Sequence, residues 1–144
     1  FKWPIFAEKD MELNGELILS DSAAGKLRQL MGIKDYIIEQ GVSGNWTYYK
    51  YASGYADLWW RGTVTPTSYT AVGSMVYTNI IRLSMPFGVT GNVVVTGTGD
   101  NLHILTNVDW SYANKTVSFR LLRAASMALG EQVVALRVMG KWKA

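Results

Sequence analysis

From Ile33 to the end of the chain, apolar and polar side chains alternate in short runs. Gly, Asn and Ser separate these runs, and they are residues that favour tight turns. A period of two places successive side chains on opposite faces of a β-strand. We count about eight or nine such runs with no helical period between them, which predicts an all-β fold, an antiparallel β-sandwich.

The same alternation predicts individual strands and the faces that they present. Every second residue from Leu102 to Trp110 is apolar or Thr, so His103, Asn107 and Asp109 are predicted to share the opposite, polar face. The predicted strands are 35–40, 46–51, 55–61, 76–83, 93–95, 102–110, 116–123 and 132–142, and residues 97–101, Tyr69 and Tyr112 are predicted to lie in turns or loops.

The first 32 residues follow a different pattern. Residues 11–19 predict a short strand or extended segment, and Asp21 or Ser22 is placed to cap a short helix that Gly32 ends. Because this segment has few apolar residues for its length, we expect it to depend on partner chains. We therefore divide the chain into an N-terminal segment, 1–32, and a β-sandwich domain, 33–144.

Composition excludes several classes of protein and site. Apolar residues make up 49% of the chain and charged residues 17%, which suffices for a core. The formal charge of +3 comes from scattered single basic residues, so no nucleic-acid partner is predicted. There is no Cys, and no apolar run is long enough to insert into a membrane. The start is not a signal peptide and lacks an initiator Met, so we expect a piece of a longer protein.

Three stretches carry a resemblance to a known family: D-Y-I-I-E-Q-G at 35–41, W-T-Y-Y-K-Y-A-S-G-Y-A-D-L-W at 46–59 and G-K-W at 140–142. They resemble the patterns Y-x-V-E-x-G, W-x-Y-x-K-W-x-S-G, A-E-x-W and G-R-W in the C-terminal domain of tail proteins from phages and prophages of Gram-positive bacteria. Residues 11–17 are similar to the M-x-L-x-G-x-L stretches of trimeric tail fibres. The chain departs from the pattern at Tyr51, where Trp is frequent, and at Trp60, where Gly is common.

The resemblance implies a homotrimer at the tip of a tail fibre or baseplate of the virion, joined to the rest of that structure. Residues 1–32 are then the trimerising or linker segment, and residues 33–144 are the receptor-binding tip domain. It also implies attachment to a host-surface ligand, commonly a polysaccharide. Two alternatives remain open. In the first, the domain is a structural trimerisation knob that binds no ligand. In the second, it is a polysaccharide depolymerase.

Catalytic signatures are sparse. His103 is the sole histidine, and no Gly-x-Ser-x-Gly is present for a serine nucleophile. Glycoside hydrolysis needs two facing carboxylates, for which Asp57, Asp100 and Asp109 are the candidates in the β region. We predict a protein that is not an enzyme and needs no cofactor or metal.

Aromatic and polar side chains that share a strand face are candidates for sugar binding, because sugars offer C–H faces for stacking and hydroxyls for hydrogen bonds. Tyr55, Asp57, Trp59 and Arg61 form one such group. The alternative is that Trp59 packs in the core or against a neighbouring subunit and that Asp57 and Arg61 form a cross-strand or intersubunit pair. The predicted ligand-binding residues are Trp60, Arg61, Tyr69, His103, Asn107 and Asp109.

Overall fold

The structure is a computed structural model that describes residues 11–13, 17–19, 21–32, 35–100, 103–124 and 130–143. The chain forms two compact units, Phe1–Tyr36 and Ile37–Ala144. The predicted all-β class is confirmed, with antiparallel strands and one short helix among the described residues. In this described part, no helix has the length and apolar character needed to cross a membrane.

The first unit contains a small hairpin and a helix. Strands β1 (Met11–Leu13) and β2 (Leu17–Leu19) pair antiparallel, so the predicted extended segment is a hairpin. The predicted helix is present as α1 (Asp21–Leu30). Gly32 follows it with φ of 72°, a left-handed conformation that glycine adopts without steric cost. The predicted role of this unit in trimerisation remains a prediction.

The second unit consists of two antiparallel sheets. The first sheet has the order β3-β4-β5-β12-β9, and the second has the order β10-β11-β7-β6, with β8 pairing a further part of β11. The ten strands are β3 (Ile37–Ser43), β4 (Trp46–Tyr51), β5 (Tyr55–Val64), β6 (Tyr69–Val72), β7 (Met75–Thr78), β8 (Ile81–Ser84), β9 (Thr90–Gly99), β10 (Ile104–Ser111), β11 (Thr116–Ala124) and β12 (Gln132–Lys141).

One apolar core holds the two sheets together. The second sheet contributes β11, whose alternate residues Val117, Phe119 and Leu121 are all fully buried. The first sheet contributes alternate residues of β5 and β12, namely Ala56, Leu58, Trp60, Val134, Leu136 and Val138. Side chains of both sheets meet in this core, which is the arrangement of a β-sandwich. The predicted apolar faces of the strands around residues 56–60 and 134–138 are therefore confirmed.

Several predicted boundaries are wrong. Tyr69 does not lie in a loop but begins β6, whose sequence Tyr-Thr-Ala-Val lacks a clear alternation. The predicted strand 76–83 is two strands, separated at Asn79, whose Oδ1 accepts hydrogen bonds from the backbone N–H groups of Thr67 and Ser68. β9 is a ten-residue strand that includes 97–99 of the predicted turn, and Asn101 lies outside the described residues.

A bulge in β10 also changes the predicted faces of residues 102–110. Asn107 has φ of 49°, and the register against β11 slips between Thr106 and Asp109. An extra residue in one strand reverses the faces of the residues beyond it. Before the bulge, Leu105 pairs with the buried Leu121 and His103 is buried, so this part of the strand is reversed relative to the prediction. Beyond the bulge, Asp109 pairs with Ser118 on the outer face as predicted, so His103 does not share a polar face with Asp109.

Candidate functional site

The outer face of the first sheet carries a group of aromatic and charged side chains. We call it the Trp59 face, and define it by Tyr49, Tyr55, Asp57, Trp59, Arg61 and Arg137. Alternation along β5 produces it, because the residues between its four members point into the core. Cross-strand pairing adds Tyr49, opposite Asp57, and Arg137, opposite Trp59.

Asp57, Trp59 and Arg137 form the centre of this face. Arg137 donates two hydrogen bonds to Asp57, from Nε to Oδ1 at 3.0 Å and from Nη2 to Oδ2 at 2.7 Å. Its Cζ lies 4.4 Å from the centroid of the Trp59 ring. Within the chain, Asp57 therefore pairs with Arg137 and not with Arg61, because β12 lies beside β5 and supplies a different arginine.

This arrangement keeps the charged groups in place. The hydrogen bonds that Arg137 donates to Asp57 raise the pKa of Arg137 above its usual value, against the opposing effect of desolvation. A guanidinium that is held by a bidentate carboxylate and stacked on an indole has little conformational freedom left to lose on binding. The side chains at the centre of the Trp59 face thus hold their positions before any ligand binds.

Exposure leaves the aromatic rings available to a partner. Trp59 is 45% exposed and Tyr55 is 43% exposed. These two residues share a face of β5 four positions apart, which corresponds to about 13 Å along a strand. Arg61 and Lys141 are exposed beside them, and the Nζ atom of Lys141 lies 5.9 Å from the Tyr55 ring centroid. Trp59 is therefore not a core residue.

Two of the predicted ligand-binding residues belong to β5. Arg61 lies on the Trp59 face and is exposed. Trp60 is only 7% exposed and packs in the core, because it shares the inner face with Ala56 and Leu58. Its burial contradicts the idea of a strand-end Trp that is open for stacking.

The remaining four predicted residues are scattered. His103 is 5% exposed, its Nδ1–H donates to the carbonyl oxygen of Asp100 at 2.6 Å, and its buried Nε2 has no hydrogen-bond partner. The hydroxyl of Tyr69 is also buried without a partner. Asn107 is exposed at the bulge. Asp109 is exposed on the outer face of the second sheet and accepts the backbone N–H of Trp110. The four residues therefore do not share one exposed face.

The candidate carboxylates do not face one another either. Asp57 lies on the outer face of the first sheet, and Asp109 lies on the outer face of the second, with the core between them. A glycosidase needs its two carboxyl groups about 5–10 Å apart on either side of one bond. Among the described residues, no group of three or more His, Asp or Glu could hold a metal ion.

Sequence reasoning missed Arg137 and Tyr49 as members of the site. Their positions in alternating strands show which face of a strand they occupy, but which strands lie side by side is not visible in the sequence. No known protein-family model, curated protein or solved structure matches this chain. The case for a function therefore rests on the chain's own residues.

Proposed function

We propose that this chain is the tip domain of a bacteriophage tail fibre or baseplate protein, and that it attaches the virion to a saccharide on the host cell surface. In this proposal the Trp59 face is the binding surface and the domain is not an enzyme. The observation that carries it is a half-exposed Trp59 ring beside an Asp57–Arg137 pair. Such a surface offers both a stacking platform and fixed hydrogen-bonding groups.

The proposed assembly is a homotrimer, as the family resemblance implies. Linking three weak sites raises the strength of attachment by about 10²–10⁴ without any new contact. A shallow face such as the one around Trp59 is then sufficient, and a deep cleft is not required. Light scattering should give three times the chain mass of 16.0 kDa, and a monomer at micromolar concentration counts against this part of the proposal.

The effect of removing the platform is estimated from its exposed area. Trp59 is 45% exposed, and a Trp side chain buries up to about 250 Å², so roughly 110 Å² is open to a ligand. A sugar ring that covers about half of this area gains about 1.4 kcal/mol at about 25 cal/mol per Å². Trp59→Ala should therefore weaken each site about tenfold.

The test is retention of the whole chain on purified cell-wall polysaccharides from a panel of Gram-positive bacteria, together with a glycan array. Trp110→Ala is the matched control, because Trp110 is a similarly exposed Trp, at 39%, in the second sheet. We expect Trp59→Ala to lose retention and Trp110→Ala to keep it. Equal loss in both variants would reject the Trp59 face. Failure of the wild-type chain to bind any preparation would favour a structural knob, and release of reducing ends would favour a depolymerase.

A further inference from the structure

A pocket of about 400 Å³ opens on the outer face of the second sheet, on the opposite side of the sandwich from the Trp59 face. Val72, Met75 and Leu122 form its apolar walls, and Tyr77, Thr106, Asn107 and Arg120 complete its lining. Small-molecule sites typically have about 300–1,000 Å³, with mainly apolar linings and a few polar groups. The pocket fits this description in both size and lining.

Interrupted strand pairing produces the pocket. On one side of Arg120, β10 bulges at Asn107, where the register against β11 slips. On the other side, β11 changes its partner from β8 to β7, and neither of these strands pairs with Arg120. A flat, continuous sheet offers no such hollow. The bulge and the change of partner together leave the surface concave at Arg120, and bulges are frequent next to binding sites.

The charge of Arg120 is not paired with a carboxylate of any described residue. Its Cζ lies 4.9 Å from the Tyr77 ring centroid, and its Nε is shielded from solvent without a hydrogen-bond acceptor. On the same outer face Arg82 adds a second positive charge, and Asp109 contributes one negative charge. These three charges leave an excess of positive charge, which favours an anion.

A carboxylate is the natural complement of such a group, since it accepts two parallel hydrogen bonds from one edge of a guanidinium. Asn107 adds a neutral donor at the mouth of the pocket. Its Oδ1 is within 3.2 Å of the Thr106 hydroxyl, which donates to it, and this contact directs the Asn107 amide nitrogen away from Thr106. One charged donor, one neutral donor and three apolar walls thus surround the same space.

We infer that this pocket binds a small carboxylate with an apolar body. The carboxylate is held by Arg120 and Asn107, and the apolar body packs against Val72, Met75 and Leu122. The site is separate from the Trp59 face and does not depend on the attachment function proposed above. An aliphatic acid offers both groups, whereas an acidic sugar offers the carboxylate on a hydroxylated ring, and the test distinguishes them.

The experiment is an NMR titration of the full ¹⁵N-labelled chain with hexanoate, with 1-hexanol as its neutral counterpart and with glucuronate. Ligands of this size bind with roughly millimolar affinity, so titration to about 50 mM is sufficient. We expect hexanoate to shift amide signals of β7, β10 and β11, and glucuronate to bind more weakly. Tighter binding of hexanoate supports a ligand with an apolar body, and tighter binding of glucuronate would contradict it. Hexanol should bind about tenfold more weakly than hexanoate, because it lacks the charge-assisted hydrogen bonds.

Variants locate the site. Arg120→Met should weaken carboxylate binding about tenfold, and Arg120→Lys should weaken it less, since it keeps the charge but loses the planar fork. Arg82→Met is the matched control and should weaken binding far less than Arg120→Met, because it removes the same charge but Arg82 does not line the pocket. Far-ultraviolet spectra show whether each variant folds. Equal binding of hexanol and hexanoate, equal loss in the Arg82 and Arg120 variants, or no shifts from either carboxylate would overturn the inference.

Discussion

Replacing Trp46 by Phe removes a hydrogen bond that joins the two sheets. The indole N–H of Trp46, in β4, donates to the carbonyl oxygen of Ser84, in β8, at 2.7 Å. Trp60 lies directly opposite Trp46 in the first sheet and is similarly buried, at 7% against 3%. Within the described part of the chain, Trp60 makes no side-chain hydrogen bond. Trp46→Phe and Trp60→Phe therefore remove similar volumes from the same core, but only Trp46→Phe also removes a hydrogen bond.

The expected cost follows from these two terms. Each substitution removes about 40 Å³ of buried side chain, which at about 24 cal/mol per Å³ costs about 1 kcal/mol of unfolding free energy. Trp46→Phe also loses a hydrogen bond worth about 1 kcal/mol. This term stays small because Ser84 is exposed, so water can solvate its freed carbonyl. We expect about 2 kcal/mol for Trp46→Phe and about 1 kcal/mol for Trp60→Phe.

The assay is urea and thermal unfolding followed by far-ultraviolet circular dichroism, because tryptophan fluorescence changes with the substitution itself. A difference of about 1 kcal/mol between the two variants corresponds to roughly 4 °C in Tm for a domain of this size. Equal destabilisation of the two variants, or a larger loss for Trp60→Phe, would refute the argument that the Trp46–Ser84 bond stabilises the sandwich.

Two further predictions concern the sheets and the surface. A Cβ on Gly97 would lie 2.8 Å from the Ala135 carbonyl oxygen, so Gly97→Ala should lower the free energy of unfolding in urea by about 1–3 kcal/mol. Gly25→Ala is the control: a Cβ there has no neighbour within 4 Å, so the unfolding of the sheets should not change. The hydrogen bond that Lys50 donates lowers the pKa of Glu39 from its usual 4.5. The Lys50–Glu39 pair therefore stabilises the folded state above pH 4.5, and this stabilisation is lost as the pH falls through the lowered pKa. Glu39→Gln should therefore be about 0.5 kcal/mol less stable than wild type at pH 7 and equally stable in strong acid, and a constant difference across pH would contradict this.

Much of the fold was predictable because it follows from local alternation. The inner position of Leu58 and the strand character of β11 both follow from a period of two. β6 was missed because its four residues show no such period. The strand 76–83 was predicted as continuous because nothing local to Asn79 reveals that its side chain accepts hydrogen bonds from residues more than ten positions away.

The candidate site was only partly predictable. Tyr55, Asp57, Trp59 and Arg61 were expected to share a face, and they do. The partner of Asp57 was not predictable, because Arg137 is eighty positions further along the chain. The bulge at Asn107 was not predictable either, because it shifts the pairing of β10 by one residue. It separates the buried His103 from the expected polar face and contributes to the pocket beside Arg120.

The sequence by itself determined that this chain builds strands, and which side chains of β5 point inward, because the geometry of an extended backbone acts between immediate neighbours. Only the tertiary structure decided that β12 lies beside β5 and that β11 changes partner at Arg120. Those choices depend on how distant strands pack against one another to bury a shared core. The Trp59 face and the Arg120 pocket are consequences of that packing.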